Sequence, residues 1–276
     1  MDPYIAGIDS CFNAGPSHYS ATKSEIDLTE FNNVRFEWNQ CTSGGLFKIY
    51  IWEDDGGIPG AVIRPVGGEF EEVKISENVL TAGVGARYKK VSNVAKTNGI
   101  GGFEWMEGIP GNVGGGLRMN AGAMGFETFD QVVSIKYLDS EGELHEKMAE
   151  EFESNYRNVP QLNENYAVSA VLKGTKGDIK AIDNRIRESM ERRKRTQPIA
   201  ASAGCIFKNP TDVSAGQLIE ELGLKNANVG SARVSEVHGN FIVNDGEASA
   251  QDVILLIEEI KLKVKKERAI ELAWNL

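Results

Sequence analysis

Cysteine and histidine are scarce in this chain. Its 276 residues include three cysteines (Cys11, Cys41 and Cys205) and three histidines. An odd number of cysteines without metal-ligand spacing argues against a disulfide framework and against a zinc site. We therefore expect free thiols and no bound metal.

Long apolar runs and an excess of positive charge are also missing. No stretch approaches the roughly 18 consecutive apolar residues that span a bilayer, and the first residues lack the basic and apolar regions of a secretory signal. The formal net charge of −10 repels a nucleic-acid backbone. The basic run at residues 192–195 ends a helical pattern, where we expect it to be solvated. These absences predict a cytoplasmic protein without membrane or nucleic-acid partners.

Secondary-structure patterns are regular from residue 62 onward. Apolar alternation predicts strands at residues 73–75, 79–84, 132–138, 167–172, 241–244 and 270–276, with a hairpin after the turn at 139–142. Residues 34–38 and 49–52 are possible strands in a first segment, 1–60, that we leave unassigned.

Four helices are predicted from apolar residues at helical spacing. One spans residues 87–98 and ends at Gly99; another begins at a capping box formed by Ser214 and Gln217 and ends at Gly223. In the helix ending near residue 195, the core-facing residues are Ile179, Ile182, Ile186 and Met190. In the helix capped by Ser249, they are Val253, Leu256, Ile257, Ile260 and Val264.

The most informative segment is the glycine-rich run at residues 108–125, GIPGNVGGGLRMNAGAMG. Glycine permits positive φ and close approach of backbone N–H groups to an anion, and successive N–H groups form a concave diphosphate site. The run therefore predicts a site for a dinucleotide cofactor. The alternative is a loop whose glycines serve close packing alone.

Three further residues are candidates for chemistry. Cys205 lies among small residues, where its thiol can donate a proton or be oxidised; the alternative is a buried structural cysteine. Arg157 can bind a carboxylate in a bidentate manner; the alternative is a surface arginine. His238 precedes a strand and can contact a phosphate, or can be an ordinary polar residue at a strand entrance.

These segments, in this order, resemble the UDP-N-acetylenolpyruvoylglucosamine reductase (UDP-N-acetylmuramate dehydrogenase) family of flavoenzymes. The resemblance covers about residues 61–272, and the spacing is similar to the subtype without the extra substrate-covering loop. It rests on GIPG and MNAGA in the glycine-rich run, Tyr156-Arg157, Gln197-Pro198, SAGCIFKNP at 202–210, AGQLIEE at 215–221, and VSE with HGNFIVN between 234 and 244.

The resemblance implies an α+β fold with two FAD-binding lobes and a substrate domain. We expect a divergent or incomplete first lobe at residues 1–60, a second lobe at 61–195 and the substrate domain at 196–276. It also implies that FAD is bound, that NADPH supplies the hydride, and that UDP-N-acetylglucosamine enolpyruvate is reduced for peptidoglycan synthesis. We expect a monomer.

Site residues follow from the matched motifs. The resemblance implies catalytic roles for Arg157 as the stabiliser of charge on the substrate carboxylate, for Cys205 as the proton donor in place of the family's usual serine, and for Asn275. The implied cofactor-binding residues are Gly108, Ile109, Pro110, Gly111, Asn112, Gly114, Gly115, Asn120, Ala121 and Gly122. The implied substrate-binding residues are Tyr156, Lys208, Asn209, His238 and Asn240.

Two departures from the family pattern leave an alternative open. The family's LGGGSN turn is absent before residues 60–63, where Ser43-Gly44-Gly45 offers a reduced version, and Asn275 stands where the family has a catalytic glutamate. An amide can donate and accept hydrogen bonds but carries no charge. The alternatives are a pseudoenzyme that binds nucleotide-sugar or flavin without turnover, and a related flavin oxidase acting on another substrate.

Overall fold

A computed structural model describes residues 34–39, 46–51 and 61–275, with side chains from residue 67 onward except that of Ala203. These residues belong to two compact units, which divide between Glu72 and Val73. Helices occur together with antiparallel sheets. The predicted α+β class is therefore confirmed.

The first unit contains a three-stranded antiparallel sheet in the order β1-β2-β3. Its elements are β1 (Val34–Asn39), β2 (Leu46–Ile51), β3 (Ala61–Val66) and the short helix α1 (Gly68–Glu71). Branched and aromatic residues, which favour strands, account for the two strand signals in this part of the sequence. Cys11, Cys41 and the turn at 43–45 lie outside the described residues.

The first part of the second unit is built on a five-stranded antiparallel sheet in the order β10-β9-β11-β5-β4. In chain order its elements are β4 (Val73–Ser76), β5 (Val79–Gly83), α2 (Tyr88–Thr97), β6 (Ile100–Gly101), α3 (Val113–Arg118), β7 (Gly122–Ala123), β8 (Phe126–Glu127), β9 (Val132–Leu138), β10 (Leu144–Met148), β11 (Tyr166–Lys173), β12 (Thr175–Lys176) and α4 (Ile179–Thr196). Leu80 and Leu172 are register partners and fully buried. The predicted strands and hairpin of this region are confirmed.

Helix α2 packs an apolar face into the core of this part. Val91 and Ala95, four residues apart, are fully buried. The helix ends at the C-cap residue Asn98, and Gly99 follows with φ +66°, a left-handed conformation that glycine adopts without steric cost. The predicted helix and its glycine stop are confirmed.

Helix α4 begins where the Asp178 carboxylate accepts a hydrogen bond from the Ala181 N–H at 2.9 Å. Ile182 and Ile186 are buried, but Ile179 is 50% exposed and Met190 is 36% exposed. The predicted apolar face is therefore wrong at its two ends. With 3.6 residues per turn, the buried stripe continues from Ile186 to Ser189 rather than to Met190.

The C-terminal part contains a four-stranded antiparallel sheet in the order β13-β16-β15-β14. Its elements are β13 (Ser202–Cys205), α5 (Ala215–Glu221), β14 (Asn228–Val229), β15 (Ala232–Val234), β16 (Phe241–Asn244) and α6 (Ala250–Arg268). Four of the five predicted core residues of α6 are buried, Leu256, Ile257, Ile260 and Val264, and Val253 packs against them. Among the described helices, none has the length and apolar content needed to cross a bilayer.

Both predicted N-caps of this part are present. The Ser249 hydroxyl accepts from the Asp252 N–H, and the Asp252 carboxylate accepts from the Ser249 N–H, which completes a capping box. The Ser214 hydroxyl accepts from the Gln217 N–H. The Gln217 side chain binds Glu221 instead of returning to the cap, so a capping box at Ser214 was a wrong prediction.

The last residues do not form the predicted strand. After α6 ends at Arg268, a single bridge joins Trp274 to Phe207, with hydrogen bonds from Lys208 N–H to Ala273 C=O and from Asn275 N–H to Ile206 C=O. Farther along this ladder, Pro210 has no N–H to donate to the terminal segment. Alternation of apolar residues was therefore not sufficient for a strand here.

Candidate functional site

The glycine-rich run forms a loop, helix α3 and the β7-β8 hairpin. The start of α3 is fixed to the segment after β5, because Val113 N–H donates to Ala86 C=O and Gly114 N–H donates to Val84 C=O, both at 2.9 Å. Tyr88 N–H donates in turn to Gly111 C=O at 3.1 Å. The loop is thereby held at the entrance to helix α2.

Three N–H groups at this entrance have no acceptor among the described residues. Within the described part of the chain, Gly111, Asn112 and Gly115 donate their backbone N–H groups to no acceptor. A Cβ built on Gly111 or on Gly115 meets no atom within 4 Å, and Gly111 has φ +148°. Free N–H groups beside open space at glycine are the donors that an anionic diphosphate requires.

Other glycines of the run lie in close packing contacts. A Cβ on Gly114 would be 3.0 Å from Val84 Cβ. A Cβ on Gly116 would overlap the hydroxyl of Tyr88, and one on Gly122 would overlap the carbonyl oxygen of Phe126. At these positions the absence of a side chain serves packing.

The buried Tyr88 hydroxyl is hydrogen-bonded to Thr128 Oγ1 at 2.5 Å. Burial raises the pKa of Tyr88 above its usual range, so the phenol stays protonated. This hydrogen bond fixes the Tyr88 ring against the backbone of Gly116.

The remaining predicted cofactor residues flank α3. Asn120 is buried; its amide donates to Glu127 Oε2 at 2.7 Å and its oxygen accepts from Phe129 N–H at 3.1 Å. The Ala121 carbonyl accepts from both Thr128 N–H and Thr128 Oγ1. Asn120 and Ala121 thus close the turn after α3. Before the helix, Gly108 and Ile109 are half-buried and Pro110 is exposed.

Tyr156 and Arg157 form the tip of a tight hairpin. Asn155 and Asn158 exchange two backbone hydrogen bonds, at 2.9 and 3.1 Å. Arg157 has φ +57°, a left-handed conformation that is unfavourable for a residue with a Cβ. The Arg157 guanidinium carbon lies 5.8 Å from the centroid of the Tyr156 ring. A strained backbone at a charged residue is typical of functional sites.

Cys205 ends strand β13 and is only half-buried. The preceding Gly204 has φ +78°, which supports the irregular pairing with β16 at this point. Burial raises the pKa of the Cys205 thiol, while the guanidinium groups of Arg157 and Arg193 act to lower it. The thiol is therefore held largely protonated beside two positive charges.

Asn275 lies against Cys205 from the far end of the chain. Its amide nitrogen donates to Cys205 C=O at 3.0 Å. Its amide oxygen is buried and accepts no hydrogen bond from the described residues, which is a costly state for a polar atom. The structure thus brings together all three residues that were predicted to be catalytic.

Arg193 is a member of this cluster that the sequence analysis missed. Residues 192–195 were expected to be solvated, but Arg193 is half-buried while its three neighbours in the run are exposed. Burial lowers the pKa of its guanidinium. The helix period carried the signal, because Arg193 follows the buried Ile186 by seven residues, or two turns.

Two of the predicted substrate residues follow Cys205 directly. Asn209 Oδ1 accepts from Ala215 N–H at the start of α5, and Asn209 N–H donates to the Tyr156 hydroxyl at 3.4 Å. The Lys208 backbone is tied to Ala273, while its ammonium group pairs with no carboxylate in the described part of the chain. Lys208 therefore has a charge available for an anionic ligand.

His238 and Asn240 occupy the turn before β16. The His238 Nδ1 accepts from Asn240 N–H at 3.1 Å, and burial lowers the pKa of its imidazole. A Cβ on Gly216 would lie 2.8 Å from His238 Cε1. The Asn240 amide binds both backbone groups of Phe207, at 2.9 and 2.8 Å. The Asn240 side chain thus holds the loop after Cys205 in place, and His238 supports the turn that carries Asn240.

No group of three histidine, cysteine, aspartate or glutamate side chains is arranged to hold a metal ion within the residues described.

Two family models match the chain. The model described as "FAD binding domain" matches residues 59–147, and the model described as "UDP-N-acetylenolpyruvoylglucosamine reductase, C-terminal domain" matches residues 196–276. The first match includes the whole glycine-rich run, and the second includes Cys205 and Asn275.

Known proteins of the same description are similar over most of their length. A UDP-N-acetylenolpyruvoylglucosamine reductase of Clostridium tetani is 43% identical over 259 residues, which cover 93% of this chain and 82% of the relative. One from Bradyrhizobium sp. is 40% identical over 223 residues, which cover 80% of this chain and 73% of the relative. The crystal structure of UDP-N-acetylenolpyruvylglucosamine reductase from Thermus caldophilus matches with a TM-score of 0.66 and 36% identity, over 75% of each chain. The chain belongs to the UDP-N-acetylenolpyruvoylglucosamine reductase family.

Proposed function

We propose that this chain is an FAD-dependent oxidoreductase that reduces UDP-N-acetylglucosamine enolpyruvate to UDP-N-acetylmuramate, with NADPH as the source of hydride. The reaction belongs to peptidoglycan synthesis and so contributes to cell shape and division. The observation that carries the proposal is the cluster formed by Arg157, Cys205 and Asn275, in which a guanidinium, a protonated thiol and an amide converge from three distant parts of the chain.

FAD is assigned to the glycine-rich run. The free N–H groups of Gly111, Asn112 and Gly115 hold its diphosphate, and the open space beside both glycines supports this assignment. Gly114, Gly116 and Gly122 shape the backbone by close packing, and Asn120 and Ala121 fix the turn behind it. When bound, FAD accepts a hydride from NADPH and donates it to the substrate.

Arg157 and Cys205 act on the enolpyruvyl group. Arg157 binds the substrate carboxylate and stabilises the negative charge that develops on it once C3 has received a hydride. Cys205 then donates its proton to C2: the S–H bond breaks, the C–H bond forms and the electron pair stays on sulfur. Asn275 holds the Cys205 backbone through its amide nitrogen and thereby orients the thiol.

The nucleotide-sugar part of the substrate is assigned to the loops around Cys205. Lys208 supplies a positive charge for the diphosphate. Its neighbour Asn209 is joined to Tyr156 by a hydrogen bond, and both are assigned to the same surface. His238 and Asn240 position this surface. We assign a divergent or incomplete first FAD-binding lobe to residues 1–60, the second FAD-binding lobe to 61–195 and the substrate domain to 196–276. The protein works as a monomer in the cytoplasm, without nucleic-acid partners.

The alternative is a pseudoenzyme that binds its ligands without turnover. It is suggested by Asn275, which is uncharged and stands where the family has a catalytic glutamate. Arg157 in a strained conformation and a protonated Cys205 thiol that two guanidinium groups act on favour turnover, because a protein that only binds has no use for a proton donor. A charge-neutral amide is also sufficient for the hydrogen bond that Asn275 makes with Cys205.

Visible absorbance tests the proposed function. We expect purified protein to bind FAD and be yellow, to be bleached by NADPH under anaerobic conditions, and to regain its colour when UDP-N-acetylglucosamine enolpyruvate is added. A preparation that takes up no FAD would reject the flavoenzyme. Protein that is bleached by NADPH but never recoloured by the substrate would support the pseudoenzyme.

Adjacent glycines of α3 separate packing from cofactor binding. We expect Gly116→Ala to lower the free energy of unfolding by about 2 kcal/mol, because its Cβ displaces the buried Tyr88 ring. Gly115→Ala adds a Cβ in open space and improves helix propensity by up to about 1 kcal/mol. The fold should therefore stay intact. FAD binding should weaken, because the added methyl group occupies the open space that is assigned to the diphosphate.

Urea unfolding of the two variants and fluorescence titration with FAD measure both effects. Equal stability of the two variants would contradict the packing role of Gly116. Unchanged FAD affinity in Gly115→Ala would contradict the assignment of the diphosphate to this entrance.

A further inference from the structure

The stem of Arg193 rests on Gly108. A Cβ built on Gly108 would overlap Arg193 Cδ and would lie 2.8 Å from its Nε. Gly108 has no left-handed φ that would require glycine for the backbone. Any residue larger than glycine at position 108 would therefore displace the side chain of Arg193.

Among the side chains that the structure describes, none supplies an acidic partner to the guanidinium of Arg193. Within residues 67–275, Arg193 forms no salt bridge and its side chain makes no hydrogen bond, although it is half-buried. A half-buried charge without a partner is unfavourable unless a ligand or a reacting group uses it. The group with which it interacts electrostatically is the thiol of Cys205.

Three elements bring polar groups to Cys205, two of them to its thiol and one to its backbone. Arg157 comes from the hairpin tip at 155–158 and Arg193 from α4, and both carry positive charge. Asn275, from the terminal segment, is uncharged and binds the Cys205 carbonyl. Both charges that act on the thiol therefore favour its thiolate form, while burial opposes it.

We propose that Arg193 is a positioning residue for the proton donor, and that Gly108 is glycine because it accommodates the arginine stem in the place from which its charge acts on Cys205. This inference rests on the proposed function, in which Cys205 loses a proton to the substrate and negative charge develops on Sγ. Arg193 stabilises that charge without touching the substrate. Gly108 thus acts in the chemistry of the thiol, in addition to its place in the glycine-rich run.

The pH dependence of Cys205 alkylation tests the inference without turnover. Full-length protein is treated with iodoacetamide across a pH series, and the Cys205 peptide is followed by mass spectrometry, because Cys11 and Cys41 are also present. We expect Arg193→Met to raise the thiol pKa and to reduce the thiolate fraction below that pKa about threefold to tenfold. Arg193→Lys should restore part of the loss, and the exposed neighbour Arg192 provides the matched control, Arg192→Met, with no change.

Gly108→Ala provides an independent test of the contact between Gly108 and the Arg193 side chain. We expect it to shift the alkylation profile in the same direction as Arg193→Met, and to add nothing when both substitutions are combined. An unchanged profile in Arg193→Met overturns the inference, and so does a shift of equal size in Arg192→Met. A shifted profile in a protein that never turns over shows that Arg193 acts on the thiol and rejects the proposed function, whereas an unchanged profile in an active enzyme rejects only the role of Arg193, so the two failures are distinguishable.

Discussion

Replacement of Cys205 by alanine is expected to leave the reduction of bound FAD by NADPH unchanged and to slow its reoxidation by the enolpyruvyl substrate. Loss of a positioned general acid typically costs about a hundredfold to ten-thousandfold. The effect is confined to one half-reaction because the thiol donates to C2 of the substrate and plays no part in reduction by NADPH. Anaerobic stopped-flow absorbance measures the two half-reactions separately.

A serine at this position serves as the control. Cys205→Ser keeps a hydroxyl donor at the same place, so we expect it to retain most of the reoxidation rate that alanine loses. Equal slowing of both half-reactions in Cys205→Ala would indicate a general structural defect and would contradict the role of a proton donor.

The same residue predicts a pH dependence. A proton donor must be protonated, so the reoxidation rate should fall as the pH rises through the pKa of the Cys205 thiol. Burial raises that pKa and thereby extends the active range toward alkaline pH. The serine variant should show no such decline over the same range, because an aliphatic hydroxyl does not ionise there. A pH profile of the substrate half-reaction in the two proteins makes the comparison.

Replacement of Arg157 by glycine is expected to lower activity without lowering stability. The guanidinium is lost, and with it the stabilisation of charge on the substrate, so the substrate half-reaction should slow by about a hundredfold to a thousandfold. The backbone is relieved, because glycine accepts the φ of +57° that arginine adopts here. We expect the free energy of unfolding to be maintained or to rise by about 1 kcal/mol.

Thermal unfolding and the two half-reactions together measure this prediction. Arg157→Lys is the matched control: it keeps a positive charge and the strain but loses bidentate binding, so its rate should lie between those of the parent and Arg157→Gly. A large loss of stability in Arg157→Gly would contradict the view that the conformation of this residue serves activity at a cost to the fold.

Local patterns predicted the elements well where neighbouring residues decide the conformation. The alternation at residues 132–138 predicted a strand with the bounds that β9 has in the structure, and Ser249 was correctly predicted as the N-cap of α6. The terminal strand was a wrong prediction, because its pairing is limited to one bridge with a partner segment that ends at Pro210, and no pattern within residues 270–276 can reveal that partner.

The candidate site was predicted in its members and not in its geometry. Family motifs named Arg157, Cys205 and Asn275, yet they gave no reason for the free oxygen of Asn275 or for the strained φ of Arg157. Arg193 was assigned to the solvent by its charged neighbours, although its place on the buried stripe of α4 was already present in the helix period.

The amino-acid sequence by itself determined the family, the order of helices and strands in the second unit, and the identity of the residues with reactive groups. Spacing, caps and motifs act over a few residues, and a chain carries that information without folding. Tertiary packing alone decided that Asn275 lies on Cys205 across 70 residues of sequence, that Arg193 rests on Gly108, and which glycines have open space. Such contacts depend on the phase of each helix and on volumes that several elements fill together, so they exist only once the core has formed.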